Sequence, residues 1–297
     1  VTGTDATGYD TTFIKRAKPI KTYVGPEPRF SMRYAFGKNN SIKFGTGLNY
    51  QYIHLVSSSN STLPTDVWVQ SSGIIKPQMA LQYAVGYFKN FKDNMFEASI
   101  EVYFKHLWNQ IEYAESSRQS FSKDPELSYV FGKGKAYGAE FFLKKRTGKL
   151  NGWIGYTISR SDRKFPELNN GKVFPAKYDR THDISINLNY DVNKEWSFGA
   201  TWIFATGNAY TQANSFYFIE LTPTTNYTER NGSRIKPYHR LDIGLTYTPI
   251  PKRRPNRRWR NSYSISVYNV YNRKNTYFNY DKVEGNAASG NLKVTPI

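Results

Sequence analysis

The run Tyr178-Asp-Arg-Thr-His-Asp is the place in this sequence where groups able to move a proton or hold a metal stand closest together, with Asp179, His182 and Asp183 almost adjacent. General-base or metal chemistry would need those side chains to converge on one point. If a strand starts at Thr181, His182 and Asp183 point to opposite faces, because successive strand residues alternate. The run therefore reads as a polar contact at the rim of a sheet. His54, His106 and His239 are scattered and give no ligand spacing. Gly132-Lys-Gly-Lys-Ala-Tyr-Gly lacks the Gly-Lys-Ser/Thr ending of a phosphate loop and precedes a strand rather than a helix. Its glycines suit close backbone approach or strand bending. Cysteine is absent, which excludes disulfides, zinc–thiolate clusters and thiol chemistry. Neither catalysis nor a cofactor is expected.

The positioning elements must be strands. Apolar residues make up only 39% of the chain, yet aromatics reach 16%, with 24 Tyr, 19 Phe and 6 Trp. Disordered chains are poor in aromatics. The combination suits a barrel with one apolar face, a polar lumen and aromatic girdles. No run approaches the roughly eighteen apolar residues of a transmembrane helix, so any spanning falls to strands.

About ten strands can be read from period-2 alternation. Phe30, Met32, Tyr34 and Phe36 share one face, and Ile42, Phe44, Leu48 and Tyr50 follow. Met79, Leu81, Tyr83, Val85 and Tyr87 oppose Gln78, Ala80, Gln82 and Gly86. Phe96, Ile100, Val102 and Phe104 oppose Glu97, Ser99 and Glu101. Further on, Tyr137, Phe141 and Leu143 oppose Gly138 and Glu140, and Ile154, Tyr156 and Ile158 oppose Thr157 and Ser159, with Trp153 as an exception. Ile184, Ile186, Leu188 and Tyr190 oppose Asp183, Ser185, Asn187 and Asn189. The series ends with Trp196 to Phe204, then Leu241 to Tyr247 against Asp242, Gly244 and Thr246, then Tyr263, Ile265 and Val267.

The connections sort by length. Those at 37–40, 90–94, 146–149 and 192–195 are tight, and those at 55–73, 116–130, 162–181 and 206–237 are long. Up-and-down barrels of the bacterial outer membrane show this sorting, with short periplasmic turns and long outer loops. Globular strands average about 5–6 residues, whereas 76–87 alternates for about twelve, or ~40 Å at ~3.3 Å per residue. Tilted by about 40°, that length clears an apolar band of about 25 Å. A soluble barrel would reverse the two faces. Strand length and loop sorting decide for an all-β, transmembrane antiparallel up-and-down barrel with its apolar set facing lipid.

On that assignment Glu97, Glu101, Glu140, Asp183, Arg240 and Asp242 face the lumen. They are candidates for contact with an internal plug or a passing ligand, against the plainer reading of solvated lumen chemistry. Loop 210–227, with Tyr210, Phe216, Tyr217 and Phe218, is the candidate outer contact for a ligand or partner, or else packs on neighbouring loops. Forty-one basic against 23 acidic residues give a net charge of +18, which raises nucleic acid as a partner. Much of the excess is local. Lys252-Arg253-Arg254-Pro255-Asn256-Arg257-Arg258-Trp259-Arg260 holds six basic residues and no acid. It reads as a solvated turn meeting anionic headgroups, with Trp259 at the interface, and no nucleic-acid partner is expected. Residues 1–27 carry no alternation and read as a loop leading into the barrel, which occupies 28–297. The polar stretch after Asn279 and the non-aromatic Ile297 suggest an incomplete final strand.

Several stretches resemble the TonB-dependent outer-membrane receptors of the Bacteroidota type. The most specific are Gly132-Lys-Gly-Lys-Ala-Tyr-Gly-Ala-Glu, Gly148, Gly155-Tyr-Thr-Ile-Ser, Phe165, Asn169-Asn-Gly, Phe174-Pro and Tyr178-Asp-Arg-Thr-His-Asp. Leu63-Pro-Thr-Asp-Val-Trp, Ile75-Lys-Pro-Gln, Asn231-Gly-Ser-Arg, Tyr238-His-Arg-Leu-Asp and Asn269-Val-Tyr-Asn add to it in order and spacing. The resemblance implies a plug domain followed by a barrel of about 22 strands, of which this chain is the C-terminal part, without the plug. It also implies active import of a nutrient, with TonB, the remaining strands, lipid and lipopolysaccharide, and a surface lipoprotein lid as partners. A structural subunit of a larger outer-membrane complex and a passive porin are the alternatives.

Overall fold

The computed structural model describes residues 2–4, 10–12, 21–56, 66–114, 125–219, 222–227, 229–250, 259, 261–276, 279–284 and 291–296. Ten strands form one uninterrupted antiparallel meander in which each pairs with the next. They are β1 (Arg29–Phe36), β2 (Asn40–Gln51), β3 (Gln78–Phe91), β4 (Phe96–Tyr113), β5 (Tyr129–Lys145), β6 (Leu150–Lys164), β7 (His182–Asp191), β8 (Trp196–Ala205), β9 (Tyr238–Tyr247) and β10 (Tyr263–Val267). The short segment Phe174–Pro175 pairs with the outer end of β6 as the eleventh strand of the sheet. Across the described residues the sheet is open, with β1 and β10 at its edges.

Turn chemistry sets the short connections. Lys92, Asp93 and Asn94 all adopt positive φ at the β3–β4 turn, a region that Asn and Asp tolerate better than other side chains. At the β7–β8 turn the Asn193 side-chain oxygen accepts the backbone N–H groups of Glu195 (2.8 Å) and Trp196 (2.9 Å), fixing the chain reversal as an Asx-type turn.

The two faces differ as alternation requires. One carries Val102 at 49% exposure and Ile100 at 48%, with Phe141, Leu143, Ile154 and Ile158 also exposed. A soluble monomer seldom leaves so continuous an apolar surface in water. The opposite face carries the charged and amide residues. Strand lengths agree: β3 has 14 residues, β4 18 and β5 17, well beyond the globular average. Along β5 the apolar face is bounded by Lys145 at the short-turn end and Lys135 at the other. Ten residues at ~3.3 Å, tilted ~40°, separate them by ~25 Å, the height of an outer-membrane apolar band.

The small buried clusters sit where the long connections meet the outer strand ends. Val56, Ile75, Ile111 and Tyr129 form one, Phe165, Leu168 and Phe174 another. The expected loop at 55–73 contains a hairpin, Ile53–Val56 with Val67–Gln70. The segment 1–27, read as a loop leading into the barrel, contains a ribbon, Thr2–Thr4 with Asp10–Thr12, and the polar stretch after Asn279 pairs Asn279–Glu284 with Asn291–Pro296. Such polar strands lack the apolar alternation by which strands are read, because backbone hydrogen bonds alone can pair them. Trp153 does face the polar side, where its ring meets Phe142 at 6.0 Å.

Candidate functional site

The cross-strand register brings Arg33, Lys43, Gly86, Glu101, Glu140, Thr157 and Asp183 into one transverse row on the polar face of β1 to β7. Cations occupy one end and three carboxylates the other. Glu101 and Glu140 are directly opposite, an arrangement that costs stability when both are charged. Among the described residues none of the three carboxylates has an ion-pair partner. Lys43 holds its ammonium 4.0 Å from the Phe88 ring centroid. Gly86 makes room for this packing: a Cβ there would lie 2.8 Å from both Glu101 Cγ and Phe88 Cε2.

The remaining candidates on this face are paired. Glu97, opposite Lys144 near the short turns, accepts from Arg146 at 2.5 Å. The Arg240 Nε donates to both carboxylate oxygens of Asp242, at 3.0 and 2.9 Å, and its guanidinium lies 3.9 Å over the Tyr268 ring. Asp242 also accepts the Asn269 backbone N–H at 2.8 Å. Arg240 and Asp242 thus tie β9 to the segment after β10, while Glu101, Glu140 and Asp183 keep free acceptors among the described residues.

At the outer end the long connections fold onto one another. Asp179 is buried (3% exposed), accepts the Ser161 N–H at 2.5 Å and forms an ion pair with Arg234. Arg234 also donates to the Asp179 and Gly207 carbonyls. Gly207 has no alternative here, since a Cβ would fall 1.6 Å from the Ile235 carbonyl oxygen. Nearby, buried Arg230 pairs with Glu112 at 2.7 Å and lies over Phe174. Asn231, at positive φ, donates to the Pro175 carbonyl (2.9 Å) and bonds Thr211 through both its backbone and its side chain. The base of the 206–237 connection is therefore clamped to the ends of β4 and β6.

Asp179, His182 and Asp183 do not converge. β7 begins at His182, whose ring stacks on Tyr156 and bonds its hydroxyl at 2.9 Å on the apolar side, while Asp183 lies opposite Thr157 on the polar side. Tyr210 is buried at 6% exposure, and its hydroxyl donates to Gln212, so it packs within the loop. Phe216, Tyr217 and Phe218 belong to a hairpin, Ala213–Ile219 with Thr222–Tyr227, and their side chains lie outside the described residues. So does the basic run 252–260 apart from Trp259, which is 79% exposed. Sequence reading missed Glu112, Arg230 and the pairing of Asp179 with Arg234. The signal was present in part, since Asp179 and Arg234 each stand in a motif of the resemblance. His54, buried in the 53–70 hairpin, bonds Ser71 through Nε2 at 3.0 Å, leaves Nδ1 without a partner among the described residues, and has its pKa lowered by burial.

An apolar outer face of membrane height, a polar inner face and clamped loops opposite short turns define the wall of a bacterial outer-membrane β-barrel. The chain belongs to the family described as TonB dependent receptor-like, beta-barrel, whose profile matches residues 2–272. No curated protein matches it in sequence. Among solved structures it is similar to the ferripyoverdine receptor of the outer membrane of Pseudomonas aeruginosa bound to ferripyoverdine, at 15% identity and a TM-score of 0.54, over 90% of this chain and 31% of that one. It is also similar to the ferric citrate transporter FecA in the unliganded form, at 13% identity and 0.55, over 91% and 36%. The FrpB iron transporter from Neisseria meningitidis (F3-3 variant) matches at 14% identity and 0.53, over 83% and 35%. At these identities the likeness is one of fold, and the chain spans about a third of the length of each.

Proposed function

We propose that this chain is the C-terminal part of the barrel of a Bacteroidota-type TonB-dependent importer, and that its polar face docks a plug domain of the same protein. One observation carries the reading: Glu101, Glu140 and Asp183 lie in one row with no cation paired to any of them among the described residues. Opposed carboxylates without a partner are costly, and a cationic surface inside the barrel would turn that cost into attraction. Binding and gating, rather than bond chemistry, follow from such a wall. The transported compound is a nutrient captured by the outer loops and the plug, and the energy comes from TonB.

The test is uptake by cells carrying the whole protein, with and without TonB. Loss of uptake on TonB deletion supports import. Unchanged uptake contradicts TonB coupling and favours a passive pore, and a protein that moves no solute in either strain favours a structural subunit.

A further inference from the structure

The structure assigns to the cationic end of the transverse row a binding site for a small zwitterion, an α-amino acid or a short peptide with free ends. A recess of about 500 Å³ opens on the polar face of β1 to β4, within the ~300–1,000 Å³ of ordinary small-molecule sites. Gly45, Ala84 and Gly86 form its floor, and Arg33, Lys43 and Glu101 stand around it. Arg33 is directly opposite Lys43 on β2, Lys43 opposite Gly86 on β3, and Gly86 opposite Glu101 on β4. Lys43 and Glu101 are therefore two strand spacings apart, ~9.5 Å at the backbone.

Both signs of charge are left unengaged around this recess. Among the described residues Arg33, Lys43 and Glu101 have no ion-pair partner. Lys43 does not reach across to Glu101 but rests over Phe88, 4.0 Å from the ring centroid. Like charges directly opposite on neighbouring strands destabilise a sheet, so an anion between Arg33 and Lys43 relieves the wall. A carboxylate can accept from both at once, and Glu101 offers its own oxygens to an ammonium group on the far side of Gly86. One solute with both groups a few bonds apart engages all of these charges, whereas a plain anion or a plain cation leaves part of them open.

The floor keeps space for such a solute. Gly86 is required by its own neighbours, Phe88 and Glu101, but a Cβ on Gly45 would meet no atom within 4 Å. Glycine inside a strand weakens it, and often marks a place where a ligand comes close. The site rests on the polar face being the lumen and not on TonB coupling. It takes Glu101 for the solute and leaves Glu140 and Asp183 to the plug.

The experiment is calorimetric titration of the whole protein in detergent with alanine, trialanine, N-acetyl-trialanine and trialanine amide. Alanine or trialanine should bind, and blocking either end of the peptide should weaken binding about tenfold, the loss of one charge-assisted contact. Glu101→Gln should weaken free trialanine by a similar factor and leave the N-acetyl form unchanged. Arg33→Gln/Lys43→Gln should weaken the free and N-acetyl forms and leave the amide unchanged. A further variant keeps the test independent of folding. Gly45→Val retains every charge, fills the recess and suits a strand, so it should melt no lower than wild type while abolishing binding. Equal binding of free and blocked peptides, or unchanged binding by Gly45→Val, overturns the assignment. Absence of binding by all four compounds also overturns it, and leaves the import reading standing with the plug seated in the recess; that reading fails separately, if uptake survives TonB deletion.

Discussion

Glu101 on β4 and Glu140 on β5 face each other directly across the strand pair, on the polar side of a wall whose other side is apolar. Opposed carboxylates cost stability when both are charged, and among the described residues no cation is ion-paired to either. In the whole protein, Glu101→Gln/Glu140→Gln should loosen whatever fills the lumen. Planar-bilayer conductance reads this directly: the double variant is expected to leak small ions more than wild type, with the barrel itself intact.

The clamp between Asp179 and Arg234 carries the geometry of the largest outer loop. Asp179→Asn leaves Arg234 partly buried without its counter-charge. The cost should be about 2 kcal/mol, below the ~3–5 of a fully buried pair because Arg234 stays 37% exposed. Hydrogen exchange should rise at 206–212 and 233–237 while β4 to β6 stay protected.

Gly207 sits where two backbone segments touch. Gly207→Ala has to displace the Ile235 carbonyl, at a cost on the order of 3 kcal/mol. Limited proteolysis should cut the 206–237 connection faster in this variant, and the strands should remain resistant.

His54 makes the 53–70 hairpin sensitive to acid. Burial lowers its pKa below the unfolded value of 6.5, so between the lowered pKa and about 6.5 the unfolded hairpin binds more protons than the folded one. Hairpin stability is therefore full above pH ~6.5 and falls as the pH drops through that window. Amide protection factors at 53–56 and 67–70, taken relative to intrinsic exchange at each pH, should fall from pH 7.5 to pH 5. His54→Gln, which keeps a hydrogen-bonding side chain towards Ser71, should flatten the response.

The meander was legible in the sequence because every strand of it has one face in hydrocarbon. Ile184, Ile186 and Leu188 against Asp183, Ser185 and Asn187 announce β7 without help from any neighbour, and the register then puts Glu101, Glu140 and Asp183 on the side that parity requires. The polar ribbons were not legible, since Thr2–Thr4 and Asn279–Glu284 carry no apolar alternation in the sequence. The loop clamp was hidden for a different reason. Asp179 and Arg234 are 55 residues apart, and Arg230 and Glu112 are 118 apart, so only the folding of loops over the barrel end reveals them. Tyr210 shows the limit of reading an aromatic loop as a contact surface, because it is buried and its hydroxyl is bonded to Gln212 within the same connection.

The most direct test of the wall's two faces is site-directed photo-crosslinking in the whole protein, from a probe on cysteine at Glu140→Cys and, one residue along, at Ala139→Cys. The account predicts that the probe at 140 joins another segment of the same polypeptide inside the barrel, and that the probe at 139 joins only lipid. Lipid adducts at 140, or protein adducts at 139 and none at 140, would contradict it.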